Sequence, residues 1–219
     1  MEAFERRTAF RFNTPSSTMV VGPSGCGKTV FTTKLLVDHP DLFEKPPKKI
    51  YYCYGSWQDG CKRMKQHGIQ FHEGIPDSEL LPVWFPKRGL LVFDDLMEEG
   101  GNDKRVLDLF TKHSHHQNVT VIYLCQDMFP PGKFAKSISR NAHYIVGFKN
   151  PRDQLGMRNA FPTRWQEVQD TFRKVTERPF GYMLLDLHPK SSDDQRILSH
   201  LLKEEGCMRC HQLKQDATQ

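Results

Sequence analysis

Residues 22–29 read GPSGCGKT and match the phosphate-binding pattern G-x-x-x-x-G-K-[ST] at every fixed position. An apolar run at 18–22 precedes the motif, and a segment of helical periodicity at 30–36 follows it. Glycines let the backbone fold around phosphate oxygens with its N–H groups facing them, and the start of a helix adds partial positive charge. The sequence therefore predicts a phosphate-binding loop of eight residues: Gly22, Pro23, Ser24, Gly25, Cys26, Gly27, Lys28 and Thr29.

Two side chains of this loop are expected to act directly on a bound nucleotide. Lys28 is predicted to reach the β- and γ-phosphates of ATP, and the hydroxyl of Thr29 is predicted to ligate Mg²⁺. The alternative is a glycine-rich turn with an incidental lysine. The order of strand, loop and helix around the motif disfavours that alternative.

An acidic pair follows a second apolar run, in GLLVFDDLMEE at 89–99. Asp94 is predicted to hold Mg²⁺ from the tip of its strand, and Asp95 to orient and polarise an attacking water as a general base. Many P-loop ATPases carry a glutamate in the second position, so Glu98 and Glu99 are alternatives to Asp95. The interpretation without catalysis is a pair of surface aspartates that cap the next helix.

The order of the apolar runs indicates which kind of phosphate-binding fold to expect. KIYYCYG at 49–55 lies between the loop and the acidic pair, and VTVIYLCQ at 119–126 follows and ends in Gln126. This order is expected when the strand that ends in Gln126 inserts between the strand before the phosphate-binding loop and the strand that ends in the acidic pair. Ring-forming and recombinase-like ATPases have this arrangement, unlike most kinases and GTPases. The Gln126 amide is then predicted to meet the γ-phosphate or its water, rather than merely to end a strand.

Three histidines, His113, His115 and His116, stand just before the strand that ends in Gln126. The spacing of His113 and His116 places two ligands on one helix face, but no cysteine or acidic residue in the local sequence completes the set. We therefore expect these histidines to fix the corner between helix and strand by hydrogen bonds rather than to bind a metal.

The chain has six cysteines, which are spread too thinly for a small disulfide scaffold, so we expect reduced thiols. Cys207 and Cys210, in CMRCHQ, make half of a zinc site at most, and Cys53 and Cys61 are the thiols that would complete it. An incidental pair in a mobile tail is the favoured interpretation.

Continuous apolar runs alternate with helix-period segments along most of the chain. This pattern predicts an α/β fold, a P-loop NTPase whose mostly parallel central sheet has RecA/ASCE-like strand order and helices on both faces. Further strands are predicted at 142–149 and 181–187, and helices at 104–113, at 163–175 with Thr163 as the N-cap, and at about 193–204. The predicted division is an ATPase domain at 1–190 and a C-terminal helix with a polar tail at 191–219.

Length and charge bound the function without deciding it. A chain of 219 residues is long enough to bury one sizeable core. Its formal net charge of +5 slightly favours a polyanionic partner. The N-terminus has no apolar leader, and no run approaches the ~20 apolar residues that a membrane span needs. We expect a soluble, intracellular protein that has no membrane contact.

The segment 109–154, together with VGPSGCGKT and LLVFDDL, resembles the genome-packaging ATPases of Polinton/Maverick-type elements and related double-stranded DNA viruses. These belong with the poxvirus-type packaging ATPases in the FtsK–HerA group. The resemblance covers about 13–188, and the Ser-His-His corner with the strand after it is its most specific part. Lys28 and Thr29 match the P-loop of that family, Asp94 and Asp95 its acidic pair, and Gln126 its polar strand end.

The resemblance implies an ATP-hydrolysing motor that forms a homo-oligomeric ring, commonly hexameric or pentameric. Such a ring pushes double-stranded DNA, without regard to its sequence, into a preformed capsid. The expected location is a host nucleus or a viral assembly site.

A ring motor completes its active site with a cation from the next subunit, which stabilises charge on the transferred phosphoryl group. Arg140, just before the fifth predicted strand, is the first candidate, and Arg152 and Arg158 are the reserves. Pairing with a carboxylate or with DNA is the alternative role for Arg140. The candidates for contact with DNA phosphates are CKRMK at 61–65 and PGKFAK at 131–136, which otherwise are ordinary solvated charge clusters.

Two other functions stay open on the sequence. A small P-loop nucleoside or nucleotide kinase fits the length, but the sequence gives no clear arginine-rich lid over the phosphates. A scaffold that binds ATP without turnover is the other, and the intact Lys28, Thr29, Asp94 and Asp95 argue against it.

Overall fold

The computed structural model describes residues 5–7, 9–57, 61–113, 118–129, 131–150 and 164–212. Within these segments, ten strands form one sheet in the order β1-β10-β9-β8-β7-β2-β6-β5-β3-β4. The strands are β1 Glu5–Arg7, β2 Ser17–Val21, β3 Ile50–Tyr54, β4 Gln70–Glu73, β5 Gly89–Asp94, β6 Val119–Cys125, β7 Tyr144–Phe148, β8 Tyr182–Asp186, β9 Ile197–Ser199 and β10 Arg209–His211.

The helices of the described segments are α1 Lys28–Val37, α2 Lys62–Gln66, α3 Leu80–Trp84, α4 Met97–Asn102, α5 Lys104–Asp108, α6 Ala135–Arg140 and α7 Trp165–Val175. A π-helical turn, Leu109–His113, extends α5, so the predicted helix at 104–113 is present with a widened last turn. The predicted N-cap Thr163 lies outside the described residues.

The six strands from β7 to β4 run parallel, and β8, β9, β10 and β1 continue the sheet in antiparallel pairings. The predicted α/β class with a mostly parallel sheet is confirmed. All five residues of β2 are buried, as are all seven of β6, which is why these strands read as continuous apolar runs. Parallel strands end at one edge of a sheet, so the residues after β2, β5 and β6 meet there.

Strand β6 lies between β2 and β5, as the order of the apolar runs predicts. Val21 pairs with Cys125 on one side of β6, and Phe93 pairs with Tyr123 on the other. The residue after β6 therefore emerges between the phosphate-binding loop and the acidic pair.

Two hydrophobic cores cover the two faces of the sheet, since successive residues of a strand point to opposite faces. Val20 of β2 packs with Leu35 of α1 and Met64 of α2 on one face. Met19 packs on the other face with side chains of α5, α6 and α7, among them Val168. The predicted placement of helices on both faces is confirmed.

The predicted helix at 193–204 is wrong. Short 3₁₀ turns at Asp193–Gln195 and Lys203–Glu205 flank β9, and β10 follows. Ile197, Leu198 and Ser199 are buried because β9 pairs with β8, and this pairing overrides the helical periodicity of the segment. Cys210 lies buried in β10, so the pair at 207–210 is not in a mobile tail. The division at residue 190 stays a prediction.

Within the described segments, no helix combines the length and the apolar character needed to cross a membrane.

Candidate nucleotide-binding site

The predicted phosphate-binding loop connects β2 to α1, which begins at Lys28. Gly27 has a left-handed φ of 106° and so favours glycine. A Cβ on Gly22 would lie 2.7 Å from Cys26 Sγ and 2.8 Å from Phe148 Cβ, which leaves no room for a side chain. The N–H of Gly22 donates to Cys125 O over 3.1 Å and so ties the loop to the end of β6.

The ammonium group of Lys28 lies inside this loop. Its Nζ donates to Gly22 O over 2.5 Å and to Pro23 O over 3.1 Å. The side chain is therefore directed to the concave side of the loop, where phosphate oxygens would lie.

Asp94 ends β5 and is only 7 % exposed. Its Oδ2 accepts a hydrogen bond from Tyr52 of the neighbouring β3 over 2.5 Å and a longer one from Thr29 Oγ1 over 3.4 Å. Burial raises the pKa of Asp94 above its ordinary value and the charge of Asp95 adds to this, while the Tyr52 hydrogen bond and the Lys28 charge oppose it. Burial and the nearby Asp94 charge likewise raise the pKa of Tyr52, which keeps its hydroxyl a donor.

Thr29 and Asp94 together offer a hydroxyl and a carboxylate oxygen on the same side of the loop. Mg²⁺ is commonly held by one or two such protein oxygens together with phosphate oxygens and water. These two residues fit that ion. No group of three or more His, Cys, Asp or Glu side chains forms a metal site anywhere in the described segments.

Asp95 is exposed and has a left-handed φ of 56°, an unusual conformation for a residue other than glycine. Gly55, which follows β3, permits it. A Cβ on Gly55 would lie 2.1 Å from the carbonyl oxygen of Asp95, and the Gly55 N–H donates to Asp94 O over 3.0 Å. The backbone turn that separates the two carboxylates thus depends on a glycine of the adjacent strand end.

One cavity of about 300 Å³ brings together most of the predicted residues. Gln126 follows β6 and is exposed in this cavity, beside both aspartates, Lys28 and Thr29. The cavity is lined by Ser24, Gly25, Gly27, Lys28, Thr29, Val30, Asp94, Asp95, Leu124, Cys125, Gln126 and Phe180.

Arg140 does not lie at this cavity. It ends α6, and the next residue, Asn141, accepts a hydrogen bond from Ser17 Oγ over 2.9 Å at the start of β2. The phosphate-binding loop lies at the other end of β2, a strand of five residues and so roughly 16 Å long. Arg140 is exposed and lines a separate cavity of about 430 Å³ together with Lys136.

Several sequence predictions concern residues that the structure describes only in part. His115, His116, Arg152 and Arg158 lie outside the described residues, as do the side chains of His113 and Glu98. Glu99 is exposed on α4 and does not line the cavity.

The two basic clusters and the six cysteines lie within the segments that the structure describes. Lys62 and Lys65 are exposed on α2, whereas Arg63 pairs with Asp38 over 2.5 Å. Lys133 and Lys136 of the second cluster are also exposed. Cys210 Sγ contacts Asp194 O over 3.4 Å, and none of the six cysteines forms a disulfide.

Sequence reasoning missed three residues of the site: Tyr52, Gly55 and Phe180. Tyr52 stands in a tyrosine-rich run where nothing distinguishes it from a core residue, and its partner Asp94 is far along the chain. Gly55 follows that run, and a glycine after a strand is too common to indicate a functional role. Phe180, in RPFG, does carry a signal, because a large aromatic residue in a turn is unusual.

No family model matches the sequence, and no curated protein matches it. The fold is similar to the genome packaging NTPase B204 from Sulfolobus turreted icosahedral virus 2. The complex with ATP-gammaS has a TM-score of 0.53 at 12% identity, with 78% of this chain and 92% of that chain covered. The complex with AMP has a TM-score of 0.51 at 10% identity, with coverage of 79% and 93%.

The cytoplasmic domain of the Thermomonospora curvata Type VII Secretion ATPase EccC is also similar. Its TM-score is 0.51 at 11% identity, with 93% of this chain and 26% of that chain covered. At such low identities the likeness establishes the P-loop fold alone.

Proposed function

We propose that this chain is an ATP-hydrolysing motor that translocates double-stranded DNA and packages the genome of a virus or virus-like element into a capsid. One observation carries the proposal. Strand β6 inserts between β2 and β5, which places Gln126 beside Lys28, Thr29 and the acidic pair in a single cavity. This strand order is typical of ring-forming ATPases and not of most kinases.

We propose a role in hydrolysis for each of these side chains, which the shared cavity supports. Lys28 would turn from the loop carbonyls to neutralise the β- and γ-phosphates, and Thr29 and Asp94 would hold Mg²⁺, which would neutralise charge on the phosphate oxygens. Asp95 accepts the proton of the attacking water while the water oxygen bonds to the γ-phosphorus and the bond to the bridging oxygen of ADP breaks. Gln126 holds that water or the γ-phosphate in line.

The exposure of Asp95 and its unusual backbone support its part in this scheme. Strained conformations are retained where function needs them. Both aspartates line the cavity, but Asp94 is buried and accepts hydrogen bonds from Tyr52 and Thr29, whereas Asp95 is exposed. The two neighbouring carboxylates therefore suit two different tasks, one on the metal and one on water.

The similarity of fold to a viral genome packaging NTPase is consistent with a genome as the cargo. Exposed lysines on α2 and around α6 supply cations for phosphate contacts that are independent of sequence. The FtsK–HerA group, with its Polinton/Maverick and poxvirus-type members, is the group to which we assign the chain. We expect a ring of five or six subunits that meets its capsid in the nucleus or at an assembly site.

The position of Arg140 argues against a role in the cavity of its own subunit and is compatible with a role in trans. Arg140 lies near the N-terminal ends of the parallel strands, whereas the cavity of its own subunit lies at their C-terminal ends. A neighbouring subunit in a ring can bring an arginine to the γ-phosphate, where it stabilises developing charge. We therefore propose that Arg140 completes the site of the next subunit.

The principal test measures ATP hydrolysis by the purified chain with and without double-stranded DNA, together with its mass in solution. An oligomer whose hydrolysis rises with DNA is expected, and Lys28→Ala should abolish the activity at unchanged mass. Phosphate transfer to a nucleoside by a monomer would instead identify a kinase, and tight binding without turnover would identify a scaffold.

Mixing Lys28→Ala with Arg140→Ala subunits tests the role in trans. Some interfaces of a mixed ring regain both groups, so activity should return above that of either variant alone. Lack of recovery in rings of the correct mass would count against Arg140.

A further inference from the structure

The cavity of the phosphate-binding loop has an apolar rim that the catalytic scheme leaves unused. The large hydrophobic side chains that are exposed in the described segments are Val30, Trp57, Val83 and Phe180. Two of these four, Val30 at 60 % and Phe180 at 69 % exposure, line this one cavity. Exposed apolar groups that gather at a polar cavity indicate a ligand with an apolar part.

Phe180 lies directly against the loop. A Cβ on Gly27 would lie 3.2 Å from Phe180 Cδ1, so the ring stands next to the last glycine before Lys28. Val30 extends from the first turn of α1, just beyond Thr29. A nucleotide whose phosphates occupy the loop can extend its sugar and base along this rim, which belongs to the same cavity.

The backbone presents the phenyl ring at a conformational cost. Phe180 has a left-handed φ of 58°, which a bulky residue rarely adopts. An exposed aromatic side chain gains little from its own fold in return for that strain. Such outliers persist where the surrounding structure enforces them, and they cluster at ligand sites.

The surrounding structure does enforce this conformation. Glu205, next to β10, binds both flanks of the loop: its Oε1 accepts from Arg178 Nη2 over 2.7 Å, and its Oε2 accepts from the hydroxyl of Tyr182. Gly181 donates to Arg178 O over 3.0 Å, and a Cβ on Gly181 would lie 2.6 Å from Val175 O at the end of α7. The turn that carries the ring is thus held in place on both sides of Phe180.

We propose that Phe180, with Val30 beside it, is the platform on which the base of the bound nucleotide stacks. A flat, exposed ring offers its face to any purine or pyrimidine, and stacking on an aromatic side chain contributes substantially to the affinity for a base. The turn that contains Glu205, between β9 and β10, would then pre-organise this platform through its bonds to Arg178 and Tyr182. The inference rests on the proposed ATPase function and concerns the base end of the same site.

The test compares a ligand that has a base with one that lacks it. Binding of the Mg²⁺ complexes of a non-hydrolysable ATP analogue and of inorganic tripolyphosphate is measured by calorimetry for the wild type, Phe180→Ala, Phe180→Trp and Val83→Ala. Phe180→Ala should weaken binding of the ATP analogue about 5- to 150-fold, the range expected for one stacked base. Tripolyphosphate should bind as before, and Phe180→Trp should restore the affinity for the analogue.

Val83→Ala is the matched control, since it removes an equally exposed apolar side chain on α3, away from the cavity. An equal loss for both ligands in Phe180→Ala would assign the residue to the loop and overturn the proposal. If Phe180→Ala binds the ATP analogue as tightly as the wild type does, the proposal is also overturned, whatever the oligomer mass of the variant. A wild type that binds neither ligand would refute the nucleotide site itself, and with it the proposed function.

Discussion

Replacing Tyr52 with phenylalanine removes one hydroxyl beside Asp94, the proposed Mg²⁺ ligand, and leaves the ring in place. Tyr52 is fully buried, and its hydroxyl is the closer of the two donors to Asp94 Oδ2, at 2.5 Å against 3.4 Å for Thr29 Oγ1. The variant therefore leaves the buried carboxylate with only the longer of these two hydrogen bonds. We expect Asp94 to lose its fixed orientation and Mg²⁺ to bind more weakly.

The magnitude follows from two independent estimates. A hydrogen bond to a charged group has a net contribution of about 1.5–3 kcal/mol, and about 1.4 kcal/mol corresponds to a factor of ten. Loss of a group that orients a metal ligand typically lowers metal affinity about 10- to 100-fold. Both give a rise of at least tenfold in the Mg²⁺ concentration needed for half-maximal hydrolysis.

The pH dependence should change as well. Burial raises the pKa of Asp94, and the Tyr52 hydrogen bond works against that rise. Without the hydroxyl the pKa rises further, and Asp94 must be deprotonated to bind the metal. The acid side of the rate profile should therefore move to higher pH in Tyr52→Phe.

The assay is the Mg²⁺ dependence of ATP hydrolysis at saturating ATP, across a pH series. Tyr144→Phe is the matched control, because Tyr144 is equally buried and its hydroxyl accepts hydrogen bonds from Asn13 near the opposite edge of the sheet. The control should lose stability and keep its Mg²⁺ requirement. A Mg²⁺ requirement in Tyr52→Phe that equals that of the control would refute the reasoning.

Three further predictions concern other contacts. Gly55→Ala places a Cβ 2.1 Å from Asp95 O and should lower kcat about 10²-fold with little change in KM, as steady-state kinetics would reveal. Gln126→Ala should lower the hydrolysis rate about 10²- to 10³-fold while ATP binding, followed by calorimetry, is retained. Burial alone would raise the pKa of Glu204, but contacts with Lys34 help to lower this pKa to about 2. The Glu204–Lys34 pair therefore stabilises the fold above pH 4.5, and this stabilisation is lost as the pH falls towards 2. In thermal unfolding, Glu204→Gln should cost about 0.5 kcal/mol at pH 7 and nothing near pH 2, because the pair is exposed.

Much of the site was predictable because its residues are adjacent in the chain or end a buried strand. The eight loop residues occupy consecutive positions, and Asp94 and Gln126 each mark the end of an apolar run. Parallel strands end at one edge of the sheet, so these ends had to meet once the strand order was inferred. The prediction of a helix at 193–204 was wrong because residues 197–199 pair with β8 as strand β9. The hydrogen bonds and burial of that pairing outweigh the helical periodicity of the segment.

The sequence by itself determined the candidate chemistry: a loop with the phosphate-binding pattern, a carboxylate pair and an amide, set on strands whose order follows from their succession. The tertiary structure alone decided which groups hold these residues in place. Tyr52 meets Asp94 across two neighbouring strands, Gly55 accommodates the Asp95 backbone, and Glu205 binds Arg178 and Tyr182 on either side of Phe180. Each of these contacts joins residues that are far apart in the chain, and its effect depends on distances of a few tenths of an ångström. Local patterns of residue type carry no information on such distances, which is why the supporting residues emerge only when the sheet is assembled.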